Sequence, residues 1–176
     1  MTNSEAAKIV RTILGRGLTN QQTEQIVNAM VPVTVTAGHM VFREEERGQG
    51  LFVLLDGTVD VIKEGGAGGG AVMIASIEAP SVLGEMSLIT DRPHSASVRA
   101  HTNCEFRLLT RPQFDRLLRA ESLAAYKVVA TLADVIAWRL NRMDEKFVEL
   151  SRRGENPQPV EELARFKQKL FNEWNY

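Results

Sequence analysis

Residues 51–61 have the sequence LFVLLDGTVDV, in which two runs of aliphatic and β-branched side chains flank the dipeptide Asp56-Gly57. Asp-Gly favours the two-residue type I′ turn, because both central residues of that turn take positive φ. In the second run Val59 and Val61 alternate with Asp60, which is the period of a strand with one buried face and one wetter face. The segment therefore predicts a β-hairpin closed at Asp56-Gly57.

Short β-rich runs, interrupted by turn residues, lie on both sides of this segment. They fall at residues 33–35, 41–42, 71–77, 97–100 and 105–109. Closely spaced short strands are typical of an antiparallel barrel or sandwich and not of a parallel sheet, whose strands need long crossover connections. Residues 32–121 are therefore predicted to form one β-rich unit.

Helical periodicity replaces the β pattern at both ends of this unit. Residues 1–31 carry two amphipathic helices, the second of which starts at a capping box formed by Thr19 and Gln22. Residues 122–150 form a long helix that contains neither Gly nor Pro. Residues 151–159, SRRGENPQP, indicate a linker. Residues 160–176 predict a last amphipathic helix, whose apolar stripe must dock on the protein itself, on another subunit or on a partner protein.

The long helix carries its apolar residues in a heptad pattern. The two registers are Tyr126, Ala133, Leu140 and Phe147, and Val129, Ile136, Met143 and Leu150. Heptads sustained over this length are typical of a coiled-coil seam, so residues 126–150 predict a homodimer. The alternative is a helix that packs only on its own domain, for which Val128, Leu132 and Val135 supply a second apolar face.

Composition and charge argue against several classes of protein. The formal net charge of the 176 residues is −1, which favours neither a nucleic acid nor an anionic membrane as a partner. The sequence has no visible leader and no apolar window of the roughly 18 residues that a membrane span needs. A single cysteine, Cys104, allows neither an internal disulfide nor a cysteine-based zinc cluster. We therefore expect a cytoplasmic domain without a bound metal.

Residues 84–98, GEMSLITDRPHSASV, contain the strongest indication of a ligand site. The segment opens with Gly84-Glu85 and closes with small residues at positions 95–97, which leave room for an anion beside main-chain N–H groups and hydroxyls. His94 lies just before the small residues, where an anion would favour a permanent cation. The segment is therefore a candidate phosphate site with a weakened cation.

The order of helices, β-rich unit and long helix resembles the cyclic nucleotide-binding domain family of catabolite-activator-type regulators, kinase regulatory subunits and gated channels. The segments that carry the resemblance are GHMVFRE (38–44), LFVLLDGTVDV (51–61), VLGEMSLIT (82–90) and PHSASVRA (93–100). The resemblance covers roughly residues 18–150. It implies a mainly β fold, namely an antiparallel jelly-roll barrel with flanking helices and a long dimerisation helix. It also implies a cyclic mononucleotide, cAMP or cGMP, as ligand, and no catalytic residue.

The resemblance further implies roles for individual residues. The cyclic nucleotide would contact a group of residues that we call the cassette: Gly84, Glu85, Met86, Ser87, His94, Ser95, Ala96 and Ser97. Glu85 would accept a hydrogen bond from the ribose 2′-hydroxyl, and His94 would face the phosphate. The long helix would close over the base and bring Met143 and Asp144 near it. Arg92, two residues before His94, is a second candidate for the phosphate contact.

The sequence departs from the family pattern at the site itself. His94 stands where the family usually has arginine, and loss of that charge-assisted contact of about 1.5–3 kcal/mol predicts roughly 10- to 150-fold weaker binding. Glu45-Glu46 and Pro80-Ser81 each replace a usual Gly-Asp pair, and Leu83 replaces a frequent Phe. The sequence therefore resembles the family more closely in its scaffold than in its binding site.

Two functions stay open at this point. The first is a regulatory sensor that binds a cyclic nucleotide with weakened affinity and signals by helix rearrangement. The second is a degenerate domain that acts as a protein–protein adaptor or binds a different ligand. Because the residues after Leu150 are too few to form a winged helix-turn-helix, we expect a stand-alone module and not a transcription factor.

Overall fold

The computed structural model describes residues 1–15, 17–64, 70–90 and 92–153. In these residues two helices precede a β-rich unit, and further helices follow it. The helices are α1 (Asn3–Leu14), α2 (Asn20–Ala29), α3 (Glu85–Thr90), α4 (Arg111–Arg119) and α5 (Leu123–Arg153). The strands are β1 (Val31–Val35), β2 (Met40–Phe42), β3 (Gly50–Asp56), β4 (Thr58–Lys63), β5 (Val72–Glu78), β6 (Ser81–Leu83), β7 (Ser97–Ala100) and β8 (Cys104–Thr110).

Helices α1, α2 and α4 each begin directly after a threonine that caps them, at Thr2, Thr19 and Thr110. In each case the hydroxyl accepts a hydrogen bond from the N–H three residues on, and the Glu or Gln at that position bonds back to the cap. The capping box predicted at Thr19 is confirmed, because the Gln22 N–H donates to the Thr19 hydroxyl at 3.2 Å. These caps satisfy N–H groups of the first helical turn and so fix where each helix starts.

The strands form two four-stranded antiparallel sheets within the described residues. One sheet has the order β1-β8-β3-β6 and the other has the order β2-β7-β4-β5. The core between them is a cluster of buried side chains: Phe42, Phe52, Leu54, Val59, Leu83, Val98, Ala100, Cys104, Phe106 and Leu108. The predicted mainly β, antiparallel fold with flanking helices and a long C-terminal helix is confirmed.

The predicted hairpin at Asp56-Gly57 is wrong. Strand β3 pairs with β6 and β8, whereas β4 pairs with β5 and β7, so the dipeptide carries the chain from one sheet to the other. The cause lies in β3, whose residues Leu51–Leu55 are all buried. A strand buried on both faces takes a central place with a neighbour on each side, and here β6 and β8 fill both places. Gly57 has a positive φ of 97°, but Asp56 does not have a positive φ, so the predicted type I′ turn is not formed.

The chain divides into two compact units, Met1–Ala133 and Asp134–Tyr176, and α5 begins in the first and continues in the second. In the first unit Val128 and Leu132 of α5 are fully buried. Lys127 Nζ donates to Gln22 Oε1 of α2 at 3.0 Å, and Thr131 Oγ1 donates to the Leu14 carbonyl at 3.4 Å. Two residues of the second apolar face noted in the sequence, Val128 and Leu132, are thus buried in the first unit, where hydrogen bonds join α5 to α1 and α2.

In the second unit the described residues continue α5 as far as Arg153. Trp138, Leu140 and Met143 are exposed there, at 62%, 56% and 69%. The first three residues of the predicted linker, 151–153, are helical. The rest of that linker and the predicted helix 160–176 lie outside the described residues. In the part of the chain that the structure describes, no helix combines the length and the apolar character needed to cross a membrane.

Candidate functional site

The cassette begins at Gly84, which connects β6 to α3. Its φ is +73°, and a Cβ at this position would lie 2.6 Å from the carbonyl oxygen of Gly50. A left-handed backbone in such close contact with another backbone needs glycine. Gly84 therefore fixes the start of α3 against the first residue of β3.

A second glycine, Gly48, brings the loop between β2 and β3 onto α3. A Cβ at Gly48 would lie 2.2 Å from Ser87 Cβ and 3.3 Å from the Arg92 carbonyl oxygen. The sequence carries no signal for the role of this residue, because a lone glycine in a polar turn is common. Its contact with Ser87 makes the β2–β3 loop part of the site.

Backbone hydrogen bonds join the same loop to His94. The His94 N–H donates to the Glu46 carbonyl and the Glu45 N–H donates to the His94 carbonyl, each at 2.9 Å. Glu45 has a φ of +62°, although it is not glycine. The loop thus keeps a left-handed backbone at a position where the sequence has departed from the family's usual Gly-Asp pair.

The side chain of His94 is buried, with 2% of its surface exposed. Its ring stacks on Phe42 with 3.8 Å between centroids, and its Nδ1 lies 3.2 Å from Ser87 Oγ. Its Nε2 is buried, and in the described part of the chain it is the one such side-chain nitrogen or oxygen without a hydrogen-bond partner. Buried polar atoms are normally paired, so this atom marks a place where a ligand could donate or accept.

Burial lowers the pKa of His94 below its ordinary value of 6.5, and the carboxylates of Glu46 and Glu85 oppose this shift without cancelling it. The lowered pKa favours the neutral form of the imidazole at pH 7. One of its nitrogens can still donate a hydrogen bond, but it carries no net charge to attract a phosphate.

The other cassette residues differ in exposure. Glu85 and Ser87 are buried at 7% and 4%, whereas Met86 of α3 is 46% exposed. Ser97 is buried at 5%, and its Oγ accepts a hydrogen bond from the Glu44 N–H at 2.9 Å. The remaining two small residues are less covered, since Ser95 is exposed and Ala96 is half-buried.

The structure brings together the cassette residues in the first unit, around α3 and the start of β7. Arg92 is exposed in the same segment, between α3 and His94. Met143 and Asp144 lie on α5 in the second unit, where Met143 is exposed and Asp144 is half-buried. Their predicted contact with the base stays a prediction.

A cation beside the cassette was missed by the sequence analysis. Lys63, the last residue of β4, donates from Nζ to the Ser95 carbonyl at 2.8 Å and forms a salt bridge with Glu44. Glu44 also accepts a hydrogen bond from the Glu64 N–H at 2.9 Å. The Lys63 hydrogen bond, followed by the Glu64 N–H, lowers the pKa of Glu44 below its ordinary value. The alternation Val59, Val61, Lys63 was the available signal, because side chains two residues apart in a strand share a face.

A second charged cluster lies on the outer face of the same sheet. Asp60, buried at 4%, accepts from Arg99 Nη2 at 3.4 Å and lies 3.3 Å from His101 Nδ1. Burial raises the pKa of Asp60, but the hydrogen bonds from His101 and Arg99 outweigh burial and lower it overall. Among the described residues no three His, Cys, Asp or Glu side chains are grouped so as to hold a metal ion.

Comparisons with known proteins match this chain in sequence and in fold. The family model of the cyclic nucleotide-binding domain matches residues 32–121. The chain is 30% identical over 100 residues to the cGMP-dependent protein kinase egl-4 of Caenorhabditis elegans, covering 57% of this chain and 12% of the kinase. It is 32% identical over 112 residues to the cAMP-dependent protein kinase regulatory subunit of Blastocladiella emersonii, covering 64% of this chain and 28% of that subunit.

A solved structure shares the architecture over most of both chains. This is a cyclic nucleotide-binding domain from Methylobacillus flagellatus KT, with a TM-score of 0.75 and 26% sequence identity over 84% of this chain and 83% of that chain. In contrast, the chain spans less than a third of the length of either kinase relative.

Proposed function

The chain belongs to the cyclic nucleotide-binding domain family, and on this basis we propose that it is a regulatory module that binds cAMP or cGMP at the cassette. The observation that carries the proposal is the buried, unpaired Nε2 of His94. Leaving a buried polar atom unsatisfied costs about 1–3 kcal/mol, so a ligand oxygen that accepts from Nε2 would recover part of that free energy.

The hydrogen bond to Ser87 supports this role for His94. If the Ser87 hydroxyl donates to Nδ1, the proton of the neutral imidazole resides on Nε2, the nitrogen without a partner. That N–H can then donate to a phosphate oxygen. Neutral hydrogen bonds are about half as strong as charge-assisted ones, so the affinity should fall below that of a site with arginine.

Glu85 and the exposed Ser95 complete the proposed ligand contacts. Glu85 is buried at the first position of α3, where its carboxylate would accept from the ribose 2′-hydroxyl. Ser95 is exposed beside Met86, with its Oγ 3.9 Å from the Met86 sulfur, and its hydroxyl would donate to the phosphate.

Helix rearrangement is the proposed output of binding. Arg111, the first residue of α4, donates from Nη1 to the Leu88 carbonyl of α3 at 3.0 Å and from Nε to Asp115 at 2.9 Å. A ligand that moves α3 would therefore act on α4 through this guanidinium.

We also propose that α5 mediates a homodimer, since Tyr126, Leu140 and Met143 of its heptad are exposed apolar residues.

The alternative function is a degenerate domain that acts as an adaptor without nucleotide. Strand β5 favours it, because this strand lies at a sheet edge and exposes Val72, Met73 and Ile74 at 57–59%. An exposed apolar edge strand is a surface on which another protein can dock.

Isothermal titration with cAMP and with cGMP at pH 7 separates the two functions. A dissociation constant in the micromolar range for either nucleotide supports the sensor. Millimolar or weaker binding of both nucleotides, by a protein whose fold is intact, would remove the sensor and leave the adaptor.

A further inference from the structure

Lys63 is the last residue of β4 and lies beside the cassette, where its Nζ contacts the Ser95 carbonyl. Val59 and Val61 of the same strand pack in or against the core between the sheets, and side chains two residues apart share a face. The pairing of β4 with β7 runs without a shift from Val59↔Ala100 to Ile62↔Ser97. The next pair in this register would set Lys63 opposite Ala96 of the cassette.

The contacts of Lys63 hold its amino group at that place. One N–H donates to the Ser95 carbonyl at 2.8 Å, and the Glu44 carboxylate forms the salt bridge. Glu44 is itself tied to the cassette, because its backbone N–H donates to Ser97 Oγ. An ammonium group has three N–H donors, and these two partners use two of them. The side chain is 48% exposed, so a ligand can reach it.

From this placement we propose that Lys63 supplies the permanent positive charge for the cyclic phosphate, with Glu44 as the internal anion that the ligand displaces. The inference rests on the proposed function and identifies a binding residue outside the cassette. It explains how a site with a neutral imidazole at position 94 can still attract an anion. The lysine does so as a point charge, without the two-pronged geometry that arginine offers.

The opposing roles of Lys63 and Glu44 allow a test with effects of opposite sign. Isothermal titration with cAMP and cGMP is carried out on the wild type and on Lys63→Gln, Lys63→Arg and Glu44→Gln. Loss of a charge-assisted contact should weaken binding by about tenfold or more in Lys63→Gln, whereas Lys63→Arg should stay within about threefold of the wild type. Glu44→Gln should bind more tightly than the wild type, because Lys63 no longer has a competing anion.

Controls separate charge at the site from general effects. Lys8→Gln removes one exposed positive charge from α1 and should leave the affinity unchanged. Thermal melting of each variant verifies the fold, and a gain in affinity in Glu44→Gln cannot result from unfolding. Equal affinity of the wild type and Lys63→Gln would overturn the role of Lys63 while the proposed function stands. A wild type that binds neither nucleotide would overturn the proposed function itself, and the inference with it.

Discussion

The ring of His94 lies nearly parallel to the ring of Phe42, with 3.8 Å between the centroids and 13° between the planes. Phe42 packs in turn on Phe52, with 5.4 Å between their centroids, so the imidazole is an extension of the core between the sheets. A residue expected to contact a phosphate is thus packed like an apolar one. Its protonation state should therefore influence both ligand binding and the stability of the unliganded domain.

Ligand binding should depend on pH through His94. A bound phosphate favours the imidazolium form and raises the pKa of His94 above its lowered value in the free protein, so binding takes up a proton. Affinity for cAMP or cGMP should therefore increase as the pH falls from about 7.5 to 5.5. His94→Arg should bind at least about tenfold more tightly and show a flatter pH profile. An arginine variant that folds and still does not bind would contradict the proposed role of position 94.

The stability of the unliganded domain should show the opposite dependence on pH. The pKa of His94 is lower in the folded state than in the unfolded chain, so the unfolded chain binds more protons. Neutral, buried His94 contributes fully to the free energy of unfolding at pH values above 6.5, the ordinary pKa of the unfolded chain's histidine. This contribution is lost as the pH falls through 6.5 and towards the lowered pKa of the folded state. The free energy of unfolding in urea should thus decrease between pH 7.5 and 5.5 more for the wild type than for His94→Phe. Equal slopes for the two proteins would show that His94 is not a neutral buried group.

Replacing two glycines with alanine should separate the energetic cost of a left-handed backbone from the cost of a steric clash. Gly38 and Gly84 have similar φ values of +83° and +73°, but a Cβ at Gly38 meets nothing within 4 Å, whereas one at Gly84 lies 2.6 Å from the Gly50 oxygen. Gly38→Ala should cost about 1 kcal/mol for the left-handed backbone alone, and Gly84→Ala about 3 kcal/mol or more. Urea unfolding measures both. Equal losses in the free energy of unfolding would mean that the clash between a Cβ at position 84 and the Gly50 oxygen is easily relaxed.

Glycine substitutions at two adjacent glutamates of the β2–β3 loop should change the stability of the domain in opposite directions. Glu45 has a φ of +62°, so Glu45→Gly should remove backbone strain and stabilise the domain by about 0.5–1 kcal/mol. Glu46 accepts a hydrogen bond from the Arg43 N–H at 3.0 Å, so Glu46→Gly should be destabilising by about 1 kcal/mol. Chemical denaturation of the pair is the measurement, and a destabilised Glu45→Gly variant would contradict the strain argument.

Dimerisation should depend on the heptad residues of α5. Ile136 is half-buried and Leu140 is exposed in the second unit. Replacing both with Glu should give a folded monomer in sedimentation analysis, because charges at seam positions oppose coiled-coil pairing. Val128→Ala is a useful contrast, since this buried side chain should affect stability and not association. A wild type that sediments as a monomer at high micromolar concentration would exclude the dimer.

Several features could be predicted from the sequence because they depend on residues that are close together along the chain. Thr19 and Gln22 formed their capping box because the cap involves residues only three apart. The alternation of Val59 and Val61 showed which face of β4 meets the core, although Asp60 on the other face is also buried, at 4%. The order of motifs identified the fold. In contrast, Asp56-Gly57 predicted a hairpin wrongly, because a short turn signal does not specify which strands will pair; only the positive φ of Gly57 agrees with it.

Residue identity and short spacing were enough to predict the β-rich unit, the flanking helices, the family resemblance and the histidine that replaces the family's usual arginine at position 94. The folded arrangement was needed to show that His94 stacks on Phe42 and has a lowered pKa, that Gly48 lies against Ser87 and that Lys63 reaches the Ser95 carbonyl. These relationships join residues from different loops and strands. Burial, pKa and charge pairing depend on such distant neighbours, which become neighbours only when the two sheets close over their core.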